Sequence, residues 1–311
     1  MSKNKWTTED IPSLSGKVII VTGGNSGLGY ESVRALSAAG AEVILASRSV
    51  DKGEESRDSI IKEFSGAKIK VMQLDLGDLS SVKEFAENFL SMYDRLDVLM
   101  NNAGIMTTPY FLTKDGLEAQ NGINHFGHFA LTSYLLDTIR KTDGARIVNI
   151  SSNAHKAGKM DFDDPLFKDG KGYTPMKSYG RSKLSNLLFT YELQRMFESE
   201  GTNAIAVAAH PGFSRTNLIR YIDKKFIYKL FSPLLYPVSQ SADMGALPQI
   251  RAAVDPAVKG GEYYGPAGFA QMKGYPVKVN SNAASHDREA ARKLWKLSEE
   301  LVDSRIKINV S

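Results

Sequence analysis

The sequence contains no cysteine among its 311 residues. That absence excludes disulfide bonds, thiolate metal sites and cysteine nucleophiles, and it agrees with a reducing compartment. The sequence also lacks a long apolar run, both within its polar first 17 residues and later in the chain. A signal peptide or a membrane anchor needs such a run. We therefore expect a cytoplasmic protein without a membrane anchor.

Neither sign of charge is concentrated in one part of the chain. The 39 Lys and Arg residues are interspersed with 35 Asp and Glu residues, and the formal net charge is only +4. A protein that binds nucleic acid usually presents a basic patch, so we expect no nucleic-acid partner. The mild positive charge is compatible with a ligand that carries phosphate groups.

What the sequence does contain is a regular alternation of short apolar segments and amphipathic helical segments. The apolar segments predict strands at 17–22, 42–47, 68–74, 97–100, 146–150, 203–209 and 260–265. Helices are predicted at 30–39, 50–64, 79–93, 117–140, 178–198, 240–253 and 286–303. This pattern predicts an α/β fold with one Rossmann-type, doubly wound parallel sheet of about seven strands and helices on both faces. We expect residues 1–311 to form this single domain.

A glycine-rich turn, TGGNSGLG at 22–29, separates the first predicted strand from the first predicted helix. Glycine lets the backbone approach a phosphate, and the amides of the first helical turn attract the anion. The alternative is an ordinary tight turn, but the position between strand and helix favours a dinucleotide site. The residues predicted to bind the cofactor here are Gly23, Asn25, Ser26, Gly27, Leu28 and Gly29.

The second predicted strand ends in Ser47 and Arg48. An NAD-binding site usually has a carboxylate there, about 20 residues past the glycines, which would repel a 2′-phosphate. A guanidinium can instead pair with that phosphate, and a serine hydroxyl can add a hydrogen bond. We therefore predict NADP(H) as the cofactor. In the alternative, Arg48 is a solvated charge and Asp51 binds the ribose of NAD(H).

The third and fourth predicted strands are followed by further candidates at the same edge of the sheet. Asp75 and Leu76 follow the third strand, where the carboxylate can accept from an adenine amine or cap the helix that begins near Asp78. These two interpretations remain open. The fourth strand leads into Asn101-Asn102-Ala103-Gly104. Small and amide residues let the backbone pass close to a flat ligand, so we assign Asn102, Ala103 and Gly104 to the cofactor.

Tyr179 and Lys183 lie four residues apart on a predicted helix, a spacing that places them side by side. A cation beside a phenol lowers its pKa, so the pair can act as an acid/base catalyst. The alternative is a chance pair on a solvated helix face. Ser151 and Ser152 follow the fifth predicted strand; both could simply end it, but the Ser152 hydroxyl would face a ligand over the sheet. These observations make Tyr179, Lys183 and Ser152 candidate catalytic residues.

Polar residues on the helix predicted at 117–140 have a different interpretation. His125 and His128 have a spacing that suits a metal, but no third ligand accompanies them, so we predict no metal site. Asn124 is a poor helix former, and we expect it to hydrogen-bond locally or to distort the helix. His210 could act as a general base, but we interpret it as a hydrogen-bonded histidine at a strand end.

Two segments are candidates for substrate recognition. Residues 153–178 form a long polar segment without predicted structure, and residues 217–239 are rich in aromatic and aliphatic side chains. The apolar part of the second segment, 226–238, suits either a mobile lid or a packed helix pair.

In their order along the chain, these motifs resemble those of the short-chain dehydrogenase/reductase family over nearly the whole length. The resemblance implies that Tyr179 exchanges a proton with the substrate oxygen and that Ser152 polarises it. It also implies that Lys183 lowers the pKa of Tyr179 and holds the nicotinamide ribose, and that Asn124 maintains a water chain to Lys183. The segment 211–216 (PGFSRT) would line the nicotinamide through Pro211, Gly212, Phe213 and Thr216.

The long segment between Ser152 and Tyr179, with SSNAH at 151–155 and HPGFSRTNL at 210–218, resembles the branch with retinol dehydrogenases and WW-domain oxidoreductases. That resemblance implies a small apolar carbonyl or alcohol substrate. Homodimers or homotetramers are common in the family. An oxidoreductase is the leading hypothesis, and a regulatory protein that senses NADP(H) without turnover is the alternative.

Overall fold

The protein is described by a computed structural model that covers residues 5–214 and 240–302. Thr216 and the second substrate segment, 217–239, lie outside these residues. The strands are β1 (Val18–Thr22), β2 (Glu42–Ser47), β3 (Lys68–Gln73), β4 (Val98–Asn101), β5 (Arg146–Ile150), β6 (Ile205–Ala209), β7 (Tyr263–Pro266) and β8 (Pro276–Lys278). The helices are α1 (Gly27–Ala38), α2 (Val50–Glu63), α3 (Leu79–Leu90), α4 (Ala119–Asn121), α5 (Gly127–Lys141), α6 (Pro175–Glu200), α7 (Ala242–Val254) and α8 (Arg288–Leu301).

The strands form one sheet in the order β3-β2-β1-β4-β5-β6-β7-β8. Strands β1 to β7 run parallel, and β8 pairs antiparallel with β7. The chain reverses its winding direction between β1 and β4, and ligands bind beyond the carboxyl ends of the strands at such a point. The predicted doubly wound sheet is confirmed, with eight strands instead of about seven.

Helices cover both faces of the sheet. In β1, Ile19 and Val21 pack with α1, α2 and α7, while Val18 and Ile20 pack with α3, α5, α6 and α8. A strand buried on both faces reads as a continuous apolar run, which is why the segment 17–22 is recognisable in the sequence.

Helix α8 packs on the outer side of α6. Ala291 and Leu294 meet Leu184 and Leu188 of α6, and the Trp295 ring contacts Phe129 of α5 with ring centroids 5.3 Å apart. This face of α6 is therefore covered from within the chain. Within residues 5–214 and 240–302, no helix combines the length and the apolar character needed to cross a membrane.

Two predicted segments differ from the structure. The helix predicted at 117–140 is divided into α4, a π-helical turn at Gly122–Phe126, and α5. The segment 153–178 contains 3-10 turns at Asn153–Ala157 and Lys168–Gly170. It also contains the start of α6, because the Thr174 hydroxyl accepts from the Lys177 amide and Pro175 suits the first helical position.

Candidate active site

At the carboxyl ends of β1 to β4 lies a cavity of about 320 Å³, which we call the cofactor cavity. The structure brings all the predicted cofactor residues between 23 and 104 together around it. These residues are Gly23, Asn25, Ser26, Gly27, Leu28, Gly29, Ser47, Arg48, Asp75, Leu76, Asn102, Ala103 and Gly104.

The glycine-rich turn leaves the N-terminus of α1 open to the cavity. Gly23 and Gly27 have φ values of +66° and +55°, which favour glycine. Ser26 occupies the N-cap position of α1, but its side chain makes no capping hydrogen bond. By contrast, Ser49 caps α2 and Asp78 caps α3 through their side chains. The uncapped amides and the helix dipole of α1 suit the pyrophosphate of a dinucleotide.

Gly29 has a packing role in the same turn. A β-carbon at position 29 would lie 2.2 Å from the carbonyl oxygen of Gly23 and 2.7 Å from Nδ2 of Asn102. Because the nearer obstacle is backbone, it cannot rotate away as a side chain would. Only glycine lets α1 approach the turn this closely.

The end of β2 presents cations that sequence reasoning found only in part. Arg48 lines the cofactor cavity, and so do Ser49 and Lys52, which were not singled out. Asp51, the alternative ribose ligand, is not among the lining residues. Lys52 is the third residue of α2, three positions after the N-cap Ser49, and that place in the first helical turn was the available signal. The Ser47 hydroxyl donates to the carbonyl of Ser49 at 2.8 Å, so in this structure its hydrogen bonds to the protein and not to a ligand.

The two interpretations of Asp75 are distinguished by its hydrogen bonds. Asp75 Oδ1 accepts from the Gly77 amide at 2.9 Å, while Asp78 caps α3 by accepting from the Ser80 and Ser81 amides. The helix-capping interpretation of Asp75 is therefore wrong. The Asp75 side chain remains at the wall of the cavity.

The turn at 102–104 is held by Thr22, the last residue of β1. The Thr22 hydroxyl accepts from the backbone amides of Asn102 and Ala103, each at 2.9 Å. Asn102 Nδ2 in turn donates to the Thr22 carbonyl at 2.7 Å. The backbone of this turn is thus fixed against the glycine-rich turn.

The predicted catalytic residues, Asn124, Ser152, Tyr179 and Lys183, form what we call the catalytic cluster. It adjoins the cofactor cavity at Gly104, where a β-carbon would lie 3.0 Å from Asn124 Oδ1 and 3.6 Å from Lys183 Nζ. A side chain at position 104 would therefore separate the two sites.

Asn124 is fixed by its own side chain within the π-helical turn. Its Oδ1 accepts from the Ile105 amide at 2.8 Å, and its Nδ2 donates to the Ile105 carbonyl at 2.9 Å and to Ser182 Oγ at 3.0 Å. The expectation that Asn124 accompanies a distorted helix is confirmed. These bonds join the segment after β4 to α6.

The electrostatics of Tyr179 differ from the sequence-based expectation. Burial raises the pKa of Tyr179 to about 12, and a hydrogen bond with Ser152 offsets only part of that increase. Lys183 Nζ lies 5.7 Å from the centre of the Tyr179 ring and donates to the Ile150 carbonyl at 3.0 Å. The predicted lowering of the Tyr179 pKa by Lys183 is wrong in this structure, because loss of hydration dominates. Burial also lowers the pKa of Lys183 to about 8.

The segment after β6 reaches residues from two later parts of the chain. The Pro211 carbonyl accepts from Gln240 Nε2 at 2.8 Å, and the Phe213 amide donates to the Met272 carbonyl at 2.7 Å. Gly212 has a φ of +64°. Pro211, Gly212 and Phe213 are not among the residues that line the cofactor cavity.

The histidines of the chain have protein partners. The His210 ring contacts Gln271 Oε1 at 3.1 Å through Nε2 and accepts from the Gly212 amide through Nδ1, which confirms a hydrogen-bonded histidine at a strand end. His125 Nε2 lies 3.0 Å from Ser298 Oγ. Among residues 5–214 and 240–302, no group of three His, Cys, Asp or Glu side chains is arranged to hold a metal.

Comparisons with known proteins agree with this architecture. A sequence model of the short chain dehydrogenase family matches residues 17–164. Retinol dehydrogenase 12 of Mus musculus is 38% identical over 291 residues, which cover 93% of this chain and 87% of the relative. A short-chain dehydrogenase/reductase of Armillaria gallica is 42% identical over 262 residues, or 82% of each chain.

A solved structure of a Mycobacterium paratuberculosis protein is also similar. It superposes with a TM-score of 0.81 at 38% identity, covering 97% of this chain and 99% of that chain. The similarity therefore extends over nearly all of both chains and includes the sheet and the site. On these grounds, the chain belongs to the short-chain dehydrogenase family and is an oxidoreductase that acts on an alcohol or carbonyl group.

Proposed function

We propose that this protein is an NADP(H)-dependent oxidoreductase that interconverts a carbonyl and an alcohol on an apolar substrate, with Tyr179 as general acid/base. The observation that carries the proposal is the junction at Gly104. On one side Gly104 lines a cavity suited to a dinucleotide, and on the other it abuts Asn124 and Lys183. Ser152 belongs to the same cluster and lowers the pKa of Tyr179, which places the two side chains close together.

The protein groups have separate tasks in this proposal. When bound, the nicotinamide cofactor supplies or accepts the hydride. A tyrosine with its ordinary pKa is already protonated at neutral pH, and burial raises the pKa of Tyr179 further. Tyr179 is therefore in the form that donates a proton to the substrate oxygen as a carbonyl is reduced. Ser152 donates a hydrogen bond to that oxygen and stabilises its developing negative charge.

Lys183 and Asn124 support Tyr179 from the side of the cavity. Lys183 holds the nicotinamide ribose hydroxyls, for which its ammonium group lies close to the Gly104 wall. Asn124 maintains a water chain to Lys183 that resupplies the proton. These roles come from the family resemblance. The same resemblance assigns Pro211, Gly212, Phe213 and Thr216 to the nicotinamide side.

The preference for NADP(H) is supported by the charges at the end of β2. Arg48 and Lys52 line the cofactor cavity beside the N-terminus of α2, and all three favour a 2′-phosphate. We expect Arg48→Ala to weaken NADPH binding by roughly tenfold to a hundredfold, the loss typical of a charge-assisted hydrogen bond. NADH binding should change little, because NADH has no 2′-phosphate.

Titration of cofactor fluorescence with both nucleotides measures this preference. Asp51→Asn is the matched control, since it alters a neighbouring charge outside the cavity lining, and it should leave both affinities unchanged. Equal weakening of NADPH and NADH by Arg48→Ala would contradict the assignment.

The substrate class is tested by following NADPH absorbance with a panel of retinoids, steroids, aliphatic aldehydes and quinones. An apolar substrate is supported by relatives named retinol dehydrogenase, since retinol is an apolar alcohol. The segments 153–178 and 217–239 are proposed to recognise the apolar part. Turnover of an apolar carbonyl is expected. Tight NADPH binding without turnover of any panel member would favour a cofactor sensor instead.

The remaining features of the proposal concern the whole protein. A cytoplasmic location, a single domain over residues 1–311, and assembly into homodimers or homotetramers are all proposed. Helix α8 covers the face of α6 that carries Leu184 and Leu188, so association would not use that face. Cell fractionation and analytical ultracentrifugation test the location and the assembly.

A further inference from the structure

His128 is buried in the interior and has hydrogen-bonding partners on both ring nitrogens. It is only 2% exposed and belongs to α5, one turn after Asn124. Its Nδ1 lies 3.1 Å from the Asn124 carbonyl oxygen, and its Nε2 lies 2.9 Å from the Thr22 hydroxyl. One imidazole thus joins a residue of the catalytic cluster to the residue that fixes the turn at 102–104.

The direction of each hydrogen bond follows from the groups involved. A carbonyl oxygen can only accept, so the hydrogen of the His128 ring must be on Nδ1. The Thr22 oxygen already accepts from the amides of Asn102 and Ala103, which occupy both of its lone pairs. It can therefore only donate to His128 Nε2, and that nitrogen must be unprotonated. Burial lowers the pKa of His128 to about 3, in agreement with a neutral ring.

This arrangement fixes the rotation of the Thr22 hydroxyl. The Met100 carbonyl, 3.3 Å away, is the other acceptor within reach, but the His128 nitrogen is closer. With its proton directed to His128, the Thr22 oxygen presents both lone pairs to the amides of the turn. The imidazole thereby holds the turn in place through Thr22, without touching the cavity itself.

The opposite face of the sheet holds the same turn through Gln249 of α7. Its Nε2 donates to Asn102 Oδ1 at 2.9 Å and to Ser32 Oγ at 2.8 Å, and the residue is 1% exposed. Buried side chains from α5 and α7 therefore brace one turn between them. Such a turn cannot shift unless buried polar groups lose their partners, which costs more than breaking exposed hydrogen bonds.

We propose that His128 is a positioning residue that, as the neutral Nδ1–H tautomer, holds the Asn102–Gly104 turn through Thr22 in the geometry that receives the cofactor and joins it to Asn124. The inference rests on the proposed cofactor site. It predicts that His128 affects cofactor affinity although it contacts neither cofactor nor substrate.

The tautomer is measured by NMR on the full chain labelled with ¹⁵N-histidine. The chain has five histidines, and the His128 signals are assigned by their disappearance in His128→Gln. We expect long-range ¹H–¹⁵N correlations to give a protonated Nδ1 and an unprotonated Nε2 that stays unprotonated down to about pH 5. An Nε2–H tautomer, or protonation above that pH, would overturn the proposal. This readout needs no cofactor.

The effect on affinity is measured with His128→Phe, compared with His125→Phe as the matched control. His125 precedes α5 by two residues and is 1% exposed, but its partner is Ser298 of α8 instead of Thr22. Both changes remove a buried imidazole, so we expect similar losses of thermal stability. Only His128→Phe should weaken NADPH binding, by roughly fivefold to tenfold. His128→Gln, which keeps an acceptor for Thr22, should recover the affinity to within about threefold.

A double-mutant cycle separates positioning from general loss of packing. Thr22→Val removes the hydroxyl on which His128 acts, so adding His128→Phe to it should weaken NADPH binding no further. Additive losses of NADPH affinity in the double mutant would refute the positioning role of His128. Equal NADPH affinities of His128→Phe and His125→Phe would refute it as well. If the wild-type chain binds no NADPH, the proposed function fails, whereas the tautomer measurement still decides the hydrogen bonding of His128.

Discussion

The cofactor cavity is shaped by two turns and a helix N-terminus, whereas the catalytic cluster is built from side chains, three of which are buried. The cavity depends on the glycine-rich turn, on the uncapped start of α1 and on the turn at 102–104. The catalytic cluster gathers Asn124, Ser152, Tyr179 and Lys183 from three separate segments, and hydrogen bonds to distant parts of the chain hold Asn124 and Lys183. The cavity therefore tolerates little added volume, whereas loss of a polar group from the cluster should reduce turnover more than stability.

This difference also separates the two parts of the reaction. The cavity is proposed to bind by shape, by backbone amides and by the charges of Arg48 and Lys52, which a change of charge in the cluster leaves intact. The cluster changes protonation states in a buried environment, which shifts the pKa values of Tyr179 and Lys183 in opposite directions. Substitutions in the cavity should thus act first on folding and affinity, while those in the cluster should act first on turnover.

The largest effect on stability is expected from Gly29→Ala, which tests whether the cavity depends on close backbone packing. The new β-carbon would lie 2.2 Å from the Gly23 carbonyl oxygen. The clash should cost about 3 kcal/mol, which exceeds the gain of about 1 kcal/mol from helix propensity. Urea denaturation and NADPH titration should both detect the loss.

The control for this change is Gly66→Ala. Gly66 has no atom of the described chain within 4 Å of an added β-carbon, and its φ is not positive. Its stability should stay within about 0.5 kcal/mol of wild type. If Gly29→Ala left both stability and NADPH affinity unchanged, the turn would be able to move. The cavity would then not depend on close backbone packing.

A smaller loss of stability is expected from Arg181→Met. This substitution tests whether buried hydrogen bonds hold the segment 153–178, which is proposed to recognise the substrate. Arg181 is 1% exposed, and its Nη1 donates to the carbonyls of Asp164 and Pro165 at 2.9 and 2.8 Å. Its guanidinium also lies 4.0 Å from the centre of the Phe167 ring, in a residue with a φ of +55°. We expect a loss of about 2 kcal/mol and a higher KM for the carbonyl substrate.

The matched control for Arg181 lies on the same helix. Arg195 pairs with Glu192 one turn earlier and is partly exposed, so Arg195→Met should change stability by less than about 0.5 kcal/mol. NADPH affinity should be unchanged in both variants. Weaker NADPH binding in Arg181→Met would mean that the segment after Ser152 also shapes the cavity.

The smallest change in stability is expected from Lys183→Met, and this change is an increase instead of a loss. Burial lowers the pKa of Lys183 to about 8, below the ordinary lysine value of 10.5. Below pH 8 the folded state therefore carries a buried charge that the unfolded state carries in water. Removing the charge should raise stability by roughly 1–2 kcal/mol at pH 7 while turnover falls. The Ile150 carbonyl keeps its hydrogen bond from Asn186 Nδ2 at 3.0 Å.

The lowered pKa of Lys183 also predicts how the stability difference between Lys183→Met and wild type changes with pH. A lysine with a lowered pKa in the folded state destabilises the protein most below pH 8, and the penalty disappears as pH rises towards 10.5. The stability difference between Lys183→Met and wild type should shrink over that interval. A variant that is less stable than wild type at pH 7 would show that the Lys183 ammonium stabilises the cluster.

The cavity could be predicted from the sequence because its residues stand in short continuous motifs. The segments 22–29 and 101–104 each carry their own strand end and turn, so local rules identified them. Lys52 was missed because it is one charge among many on a polar helix. Strand β8 was missed because it has only three residues, begins with a proline and pairs antiparallel with β7.

The cluster was recognised through resemblance, and its physical state was not predictable from spacing. The four-residue interval placed Lys183 beside Tyr179, but it gave no indication that both would be almost fully buried. Their burial comes from contacts made by segments far away in the sequence. The bonds of Arg181 to the 159–165 segment and of His128 to Thr22 have the same origin.

The central claim, that binding belongs to the cavity and proton transfer to the cluster, is tested most directly by Tyr179→Phe. The substitution removes one hydroxyl and keeps the ring that packs beside Lys183. We expect single-turnover reduction to slow by roughly a hundredfold to ten-thousandfold, while the Kd for NADPH stays within about twofold of wild type. Near-normal turnover, or a large loss of NADPH affinity at unchanged stability, would contradict the account.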